Sequence, residues 1–138
     1  SPARVFVCEN PSIVAMAARQ LGAVSAPLVC VDGEPKTAAW SLLRRLRAAG
    51  SEIWYHGDFD WKGLAIASRV IARLDGRAWR YSATDYAAAN GIEELAGTPV
   101  ETPWCHELAE EMKSRNKLVH EEAVADVLLA DLRGGPNT

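Results

Sequence analysis

The sequence predicts an α/β fold, with a Rossmann-like parallel sheet flanked by helices and a helical extension on its C-terminal side. Three observations predict it. Short runs rich in β-branched residues alternate with segments of helical spacing, the runs are apolar almost throughout rather than at every second residue, and the connections are a few residues long. With 138 residues, 49% of them hydrophobic, the chain has the length and composition of one domain with its own core.

The elements follow in order. "RVFVC" is the first strand and stops at Glu9-Asn10-Pro11. Asn10 suits an N-cap and Pro11 the first helical position, so a helix runs through "SIVAMAARQL" to Gly22, which ends it. The second strand, "APLVCVDG", leads through Gly33 and Pro35 into "KTAAWSLLRRLRAAG", where Ala39, Leu42, Leu43, Leu46 and Ala49 share a helix face and Gly50 closes it. The third strand, "EIWYHGDFD", precedes "WKGLAIASRVIARLDG", with Leu64, Ala67, Val70, Ile71 and Leu74 on one face. A fourth short strand, "RAWRYS", completes a core over residues 1–82. Residues 83–132 read as an extension of the same domain, its helices "ATDYAAANG", "CHELAEEMKSRN" and "HEEAVADVLLADL" linked by the loop "AGTPVETPW". Residues 133–138 read as a flexible tail.

Composition narrows the function classes. No long uncharged apolar run or signal-peptide pattern is present, so a cytoplasmic protein with no membrane partner is expected. The opening "SPARVFVCEN" lacks an initiating methionine and enters a strand at once, which suggests a piece of a longer protein whose N-terminal part is missing. Cys8, Cys30 and Cys105 form no C-x-x-C pair, which disfavours a disulfide framework or a thiolate zinc site. The formal charge of −3 argues against a wholly basic nucleic-acid coat but is compatible with an acidic active site. Arg44, Arg45, Arg47, Lys62, Arg69, Arg73, Arg77 and Arg80 read first as solvated helix faces.

The chemistry concentrates at "IWYHGDFDWKG". Ligands of an open parallel sheet bind beyond the carboxyl ends of its strands, where the strand order reverses. Glu9 falls at that end of the first strand, and Asp58 and Asp60 at that end of the third. In the order 2-1-3-4 those strands are neighbours. Two residues apart on extended chain, Asp58 and Asp60 point to one face. Three close carboxylates repel one another unless a cation neutralises them, and oxygen-only ligands select a hard cation, Mg²⁺ or Mn²⁺. The competing explanation is that both aspartates form a turn and favour the N-terminus of the next helix.

"CENP", "VCVDGEP" and "GDFDWKG" together resemble the Toprim pattern, an acid closing the first strand and D-x-D closing the third. They are most similar to the branch holding the topoisomerase VI A subunit and its meiotic double-strand-break relatives. The chain as a whole resembles the C-terminal Toprim-like domain of an uncharacterised bacterial family related to the nuclease subunit of the Wadjet plasmid-defence system. The Toprim likeness runs from about Val5 to Ser82, and the "VHEEAV" stretch is similar to that bacterial family.

The resemblance implies metal-dependent cleavage of DNA phosphodiester bonds, with Glu9, Asp58 and Asp60 as catalytic and metal-binding acids and Glu122 as a further metal ligand. It also implies protein partners in a defence or repair complex. The tyrosine nucleophile of the topoisomerases lies in a separate domain, and Tyr55, Tyr81 and Tyr86 match no such motif, so hydrolysis by water is the expected chemistry. Lys62 is placed for a phosphate contact, Trp61 for substrate, and His56 for proton transfer on the face of Asp58. Asp32 and Glu34 lie at a strand end, where a polar turn accounts for them. Most of Trp54, Trp61, Trp79 and Trp104 belong to the core or the cleft wall. A haloacid-dehalogenase phosphatase would carry its aspartate pair on the first strand, followed by a small hydroxyl residue, and neither condition is met. The remaining alternative is a non-catalytic nucleic-acid- or protein-binding module with vestigial acids.

Overall fold

The computed structural model describes residues 3–134. Strands β1 (Arg4–Cys8), β2 (Leu28–Cys30), β3 (Glu52–Tyr55) and β4 (Arg77–Ala78) form one parallel sheet in the order β2-β1-β3-β4, with Val7 opposite both Val29 and Tyr55. β1 is therefore central, and its residues are buried from Val5 onward. Alternation along it feeds two cores: Val5 and Val7 join one apolar cluster, Phe6 and Cys8 the other.

Helix α1 (Pro11–Gln20) buries Ile13 and Ala17 on the Phe6 side. α2 (Thr37–Ala48) and α3 (Trp61–Leu74) cover the Val5 side. In α3 the expected face is buried apart from Ile71, which is half-buried, and it is joined by Trp61, Gly63 and Ile66. In α2 the expected face is rotated, because Trp40 and Leu43 are buried while Leu42 is 45% exposed. The larger indole takes the place nearest the sheet, which spacing among leucines and alanines does not reveal. Strand β4 is shorter than expected, because Arg80 adopts a left-handed conformation at φ 50° and turns the chain.

The C-terminal portion holds α4 (Ala83–Ala88), α5 (His106–Arg115) and α6 (Ala125–Leu132), the last preceded by a 3-10 turn at Glu121–Val124. Ser82 and Asp85 form a capping box on α4. An unexpected antiparallel pair, β5 (Glu93–Glu94) and β6 (Lys117–Leu118), closes the intervening loop. Leu108 and Met112 of α5 enter the Val5 core, and Leu128, Leu129 and Leu132 of α6 enter the Phe6 core. Both cores thus draw on both halves of the chain. Of the expected tail, Arg133 and Gly134 turn back on α6, and 135–138 lie outside the described residues. Among the described residues no helix is long and apolar enough to cross a membrane.

Candidate metal centre

β3 ends at Tyr55, so His56 to Asp60 form a loop rather than the extended strand expected to aim both aspartates the same way. What fixes this loop is a bridge to the C-terminal segment. Phe59 N–H donates to the Val119 carbonyl at 2.8 Å, and Val119 N–H returns to the Phe59 carbonyl at 3.3 Å. The Phe59 ring is fully buried, and the Tyr81 hydroxyl donates to the Asp58 carbonyl.

The three acids are each held by one oxygen. Glu9 Oε1 accepts from Asp58 N–H at 2.9 Å. Asp58 Oδ1 accepts from Glu121 N–H at 2.7 Å and from the Asn10 amide at 3.0 Å. Asp60 Oδ1 accepts from Gly63 N–H at 2.6 Å, so Asp60 is the N-cap of α3 as well as a candidate ligand. Glycines make the room. A Cβ on Gly57 would sit 2.6 Å from Glu9 Oε1, and one on Gly63 would overlap the Asp58 carbonyl oxygen and sit 2.9 Å from Asp60 Oδ1 and 3.2 Å from Glu9 Oε1.

Among the described residues, the set of possible ligand atoms lying within 4.8 Å of one another is not Glu9, Asp58 and Asp60 but one that shares only Asp58 with them. Asp58, His120 and Glu122 each offer a ligand atom, and these atoms lie within 4.8 Å of one another. Ser12 donates to Glu122 Oε1 at 2.6 Å, and Glu93 lies 3.5 Å from His120 Nε2. Asp58 belongs to both groupings. His120 was not foreseen, although it adjoins the Glu-Glu pair in sequence.

Glu121, next to the expected ligand Glu122, is fully buried and organises the site. Its carboxylate accepts from the backbone N–H of Glu9 at 3.2 and 3.3 Å, from the Asn10 N–H at 2.8 Å and from the Asn10 amide at 3.1 Å. His56 Nδ1 lies 2.8 Å from its other oxygen. Asn10 occupies the N-cap position of α1 but makes no side-chain cap, because its amide is committed to Asp58 and Glu121.

Two expected substrate contacts are corrected. His56 is fully buried among Phe59, Trp79 and Tyr81, and its bond to Glu121 makes it part of the site's support. Trp61 is 5% exposed and its ring belongs to the core. Lys62 is exposed in the first turn of α3. Glu34 is committed to an ion pair with Arg69, and Asp32 is exposed in a left-handed turn.

Burial pushes the Glu9 carboxyl up to about 7, against the lowering effect of the Asp58 N–H, while the Asp58, Asp60 and Glu121 carboxylates raise it further. Burial likewise raises Asp58, helped by Asp60 and Glu121 and opposed by the Glu121 N–H. Among the described residues no lysine or arginine forms an ion pair with Glu9, Asp58 or Asp60.

The matching family model spans residues 1–132. The chain belongs to the family described as "Protein of unknown function C-terminus (DUF2399)". No curated protein and no solved structure matches it.

Three outcomes follow from this geometry. Gly63→Ala, normally favourable inside a helix, should instead lower the melting temperature, because its Cβ would displace the Asp58 backbone; an equal or higher melting temperature would contradict the close approach. Glu121→Ala should cost about 3–5 kcal/mol in denaturant unfolding, since it strands buried donors that share one acceptor. Because folding raises the Glu9 and Asp58 carboxyls, the native state binds more protons than the unfolded chain. Stability without divalent ions should therefore be greatest below about pH 4.5 for this contribution and be lost as pH rises through 7. Thermal melts in EDTA from pH 5 to 8 should show the decline, and Glu9→Gln should flatten it.

Proposed function

We propose that this chain is a Toprim-like nuclease domain that cleaves DNA phosphodiester bonds with the help of Mg²⁺ or Mn²⁺. The observation that carries this reading is the state of the three acids at the adjoining ends of β1 and β3. Each has one oxygen anchored to a backbone N–H, and among the described residues no hydrogen bond reaches the other oxygen. Anchored carboxylates with unclaimed oxygens and no cationic side chain beside them fit a hard cation. The acids lie in two of the three motifs, CENP and GDFDWKG, that carry the sequence resemblance to the topoisomerase VI A subunit.

The bound cation would neutralise charge developing on the phosphate and favour deprotonation of an attacking water. The chain's own residues supply the rest. Asp58, tied down by Asn10 and the Glu121 N–H, presents its second oxygen in a fixed direction, and Asp60 does so from the start of α3. Glu9, anchored through one oxygen to the Asp58 N–H, can hold the cation or act as a general base toward water with the other. His120 and Glu122 add donors next to Asp58, and an imidazole among carboxylates suits Mn²⁺ better than Mg²⁺. Lys62, at the mouth of the same loop, is available to a phosphate. Cleavage by water requires no tyrosine, and Tyr55 and Tyr81 are both buried with hydroxyls held well above their ordinary range by burial. As a part of a defence or repair complex, the domain would act together with an N-terminal part and protein partners.

The deciding experiment is nicking of supercoiled plasmid with Mg²⁺ or Mn²⁺ by the protein and by its Asp60→Ala variant. Cleavage that disappears in the variant is expected. Equal residual nicking in both would leave a nucleic-acid- or protein-binding module as the better account.

A further inference from the structure

Helices α2 and α3 lie side by side over one face of the sheet and carry Arg44, Arg45, Arg47, Lys62, Arg69 and Arg73. Neither helix contains an aspartate or glutamate, although the whole chain has a formal charge of −3. Acidic neighbours quench two of the six: Arg69 pairs with Glu34, and Arg47 binds the Leu74 carbonyl at 3.0 Å and Asp75 at 3.3 Å. Among the described residues the other four form no ion pair.

Arg44 and Arg73 converge on one aromatic ring. Their guanidinium carbons lie 5.7 and 4.9 Å from the centroid of Trp40, whose side chain is buried and fixed in the core. Among the described residues neither arginine forms an ion pair. Arg47 completes a shallow cleft of about 410 Å³ between the ends of the two helices. Arginines in a last helical turn can simply serve the helix C-terminus, and Arg47 does so for α3. Arg44 and Arg73 do not, since the ring holds them instead.

The cleft is aligned with the metal centre. α3 begins beside Asp60 and ends at the cleft, and its 14 residues make the separation about 20 Å. Lys62 and Arg73 fall eleven residues apart along one stripe of that helix, with Arg69, already paired with Glu34, between them. A row of cations leading from a carboxylate site suits a rod of regularly spaced negative charge. Duplex DNA offers that, with about 3.4 Å per phosphate along each strand, so the row spans about six base pairs.

We propose that the α2–α3 face is a duplex-DNA track, on which Arg44 and Arg73 seat the phosphate backbone about six base pairs from the phosphate at the acid site. This rests on the nuclease reading only in placing a scissile phosphate beside Asp58 and Asp60. The track itself needs no metal.

The test is fluorescence anisotropy of a labelled 20-base-pair duplex in EDTA over a salt series, with the chain and with Arg44→Glu/Arg73→Glu. Binding should weaken at least tenfold in the variant, and the slope of log affinity against log salt should fall by about two. Arg44→Gln/Arg73→Gln, with its fold checked by circular dichroism, should weaken binding in the same direction. Unchanged binding in both variants overturns the track, and so does competition by polyglutamate as effective as by unlabelled duplex, which would assign the face to an acidic protein. The two readings fail separately: a chain that binds through these arginines but never cuts with Mg²⁺ or Mn²⁺ keeps the track and loses the nuclease. One that cuts while both variants bind normally keeps the nuclease and loses the track.

Discussion

A single buried carboxylate, that of Glu121, is the constraint on which the arrangement of the site depends. Removing a carboxylate from water costs several kcal/mol unless donors replace the solvent. Here the donors are the backbone N–H groups of Glu9 and Asn10 and the Asn10 amide, and His56 Nδ1 lies 2.8 Å from the second oxygen. They come from the ends of β1 and β3, whereas Glu121 arrives from the C-terminal segment, 112 residues beyond Glu9. Satisfying one buried group therefore pins two strand ends to the extension. The Glu121 N–H then fixes Asp58, so backbone and side chain of one residue set the positions of both acids.

The energetic cost of the site lies in the charge it gathers. Elsewhere in the molecule a half-buried acid is matched: Asp131 receives the Arg80 guanidinium through two bonds of 2.8 Å and the Trp79 indole through another, and its carboxyl is held below the ordinary range chiefly by Arg80. Glu9 and Asp58 move the opposite way, because burial and neighbouring carboxylates act without a cationic side chain to offset them. Within one small domain, then, acids are stabilised by arginine where they serve the fold and left uncompensated where β1 and β3 end. Meanwhile Arg44 and Arg73, which form no ion pair among the described residues, stand over the Trp40 ring on α2 and α3.

Most of the fold was legible in the sequence, because apolar strands, a proline at a helix start and glycines at helix ends each report a local requirement. The strand order, the parallel pairing and the buried face of α3 all conform to that reading. Less legible were features decided by distant contacts. The short β5–β6 pair carries no apolar alternation, and the rotation of α2 depends on where Trp40 finds space. At the site, Glu9, Asp58 and Asp60 could be singled out because strand ends are visible in a sequence. Glu121 could not, since nothing local separates a buried glutamate from the exposed one beside it. His56 and Trp61 looked like substrate contacts for the same reason: adjacency to the aspartates gives no information about the direction of a side chain.

The dependence on the extension bears on what counts as the functional unit. A core ending at Ser82 would contain Glu9, Asp58 and Asp60, yet it would lack the acceptor for the N–H groups that close β1 and the donor that holds Asp58 Oδ1. It would also lack Val119, whose two backbone bonds shape the loop at Phe59. A loop of acidic residues released from those bonds would relax so as to separate its charges, since the contacts at Glu121 and Val119 oppose the repulsion among them. The C-terminal segment is therefore as much a part of the acid site as the strands that bear the acids. In physical terms the site exists at the junction between the sheet and the extension.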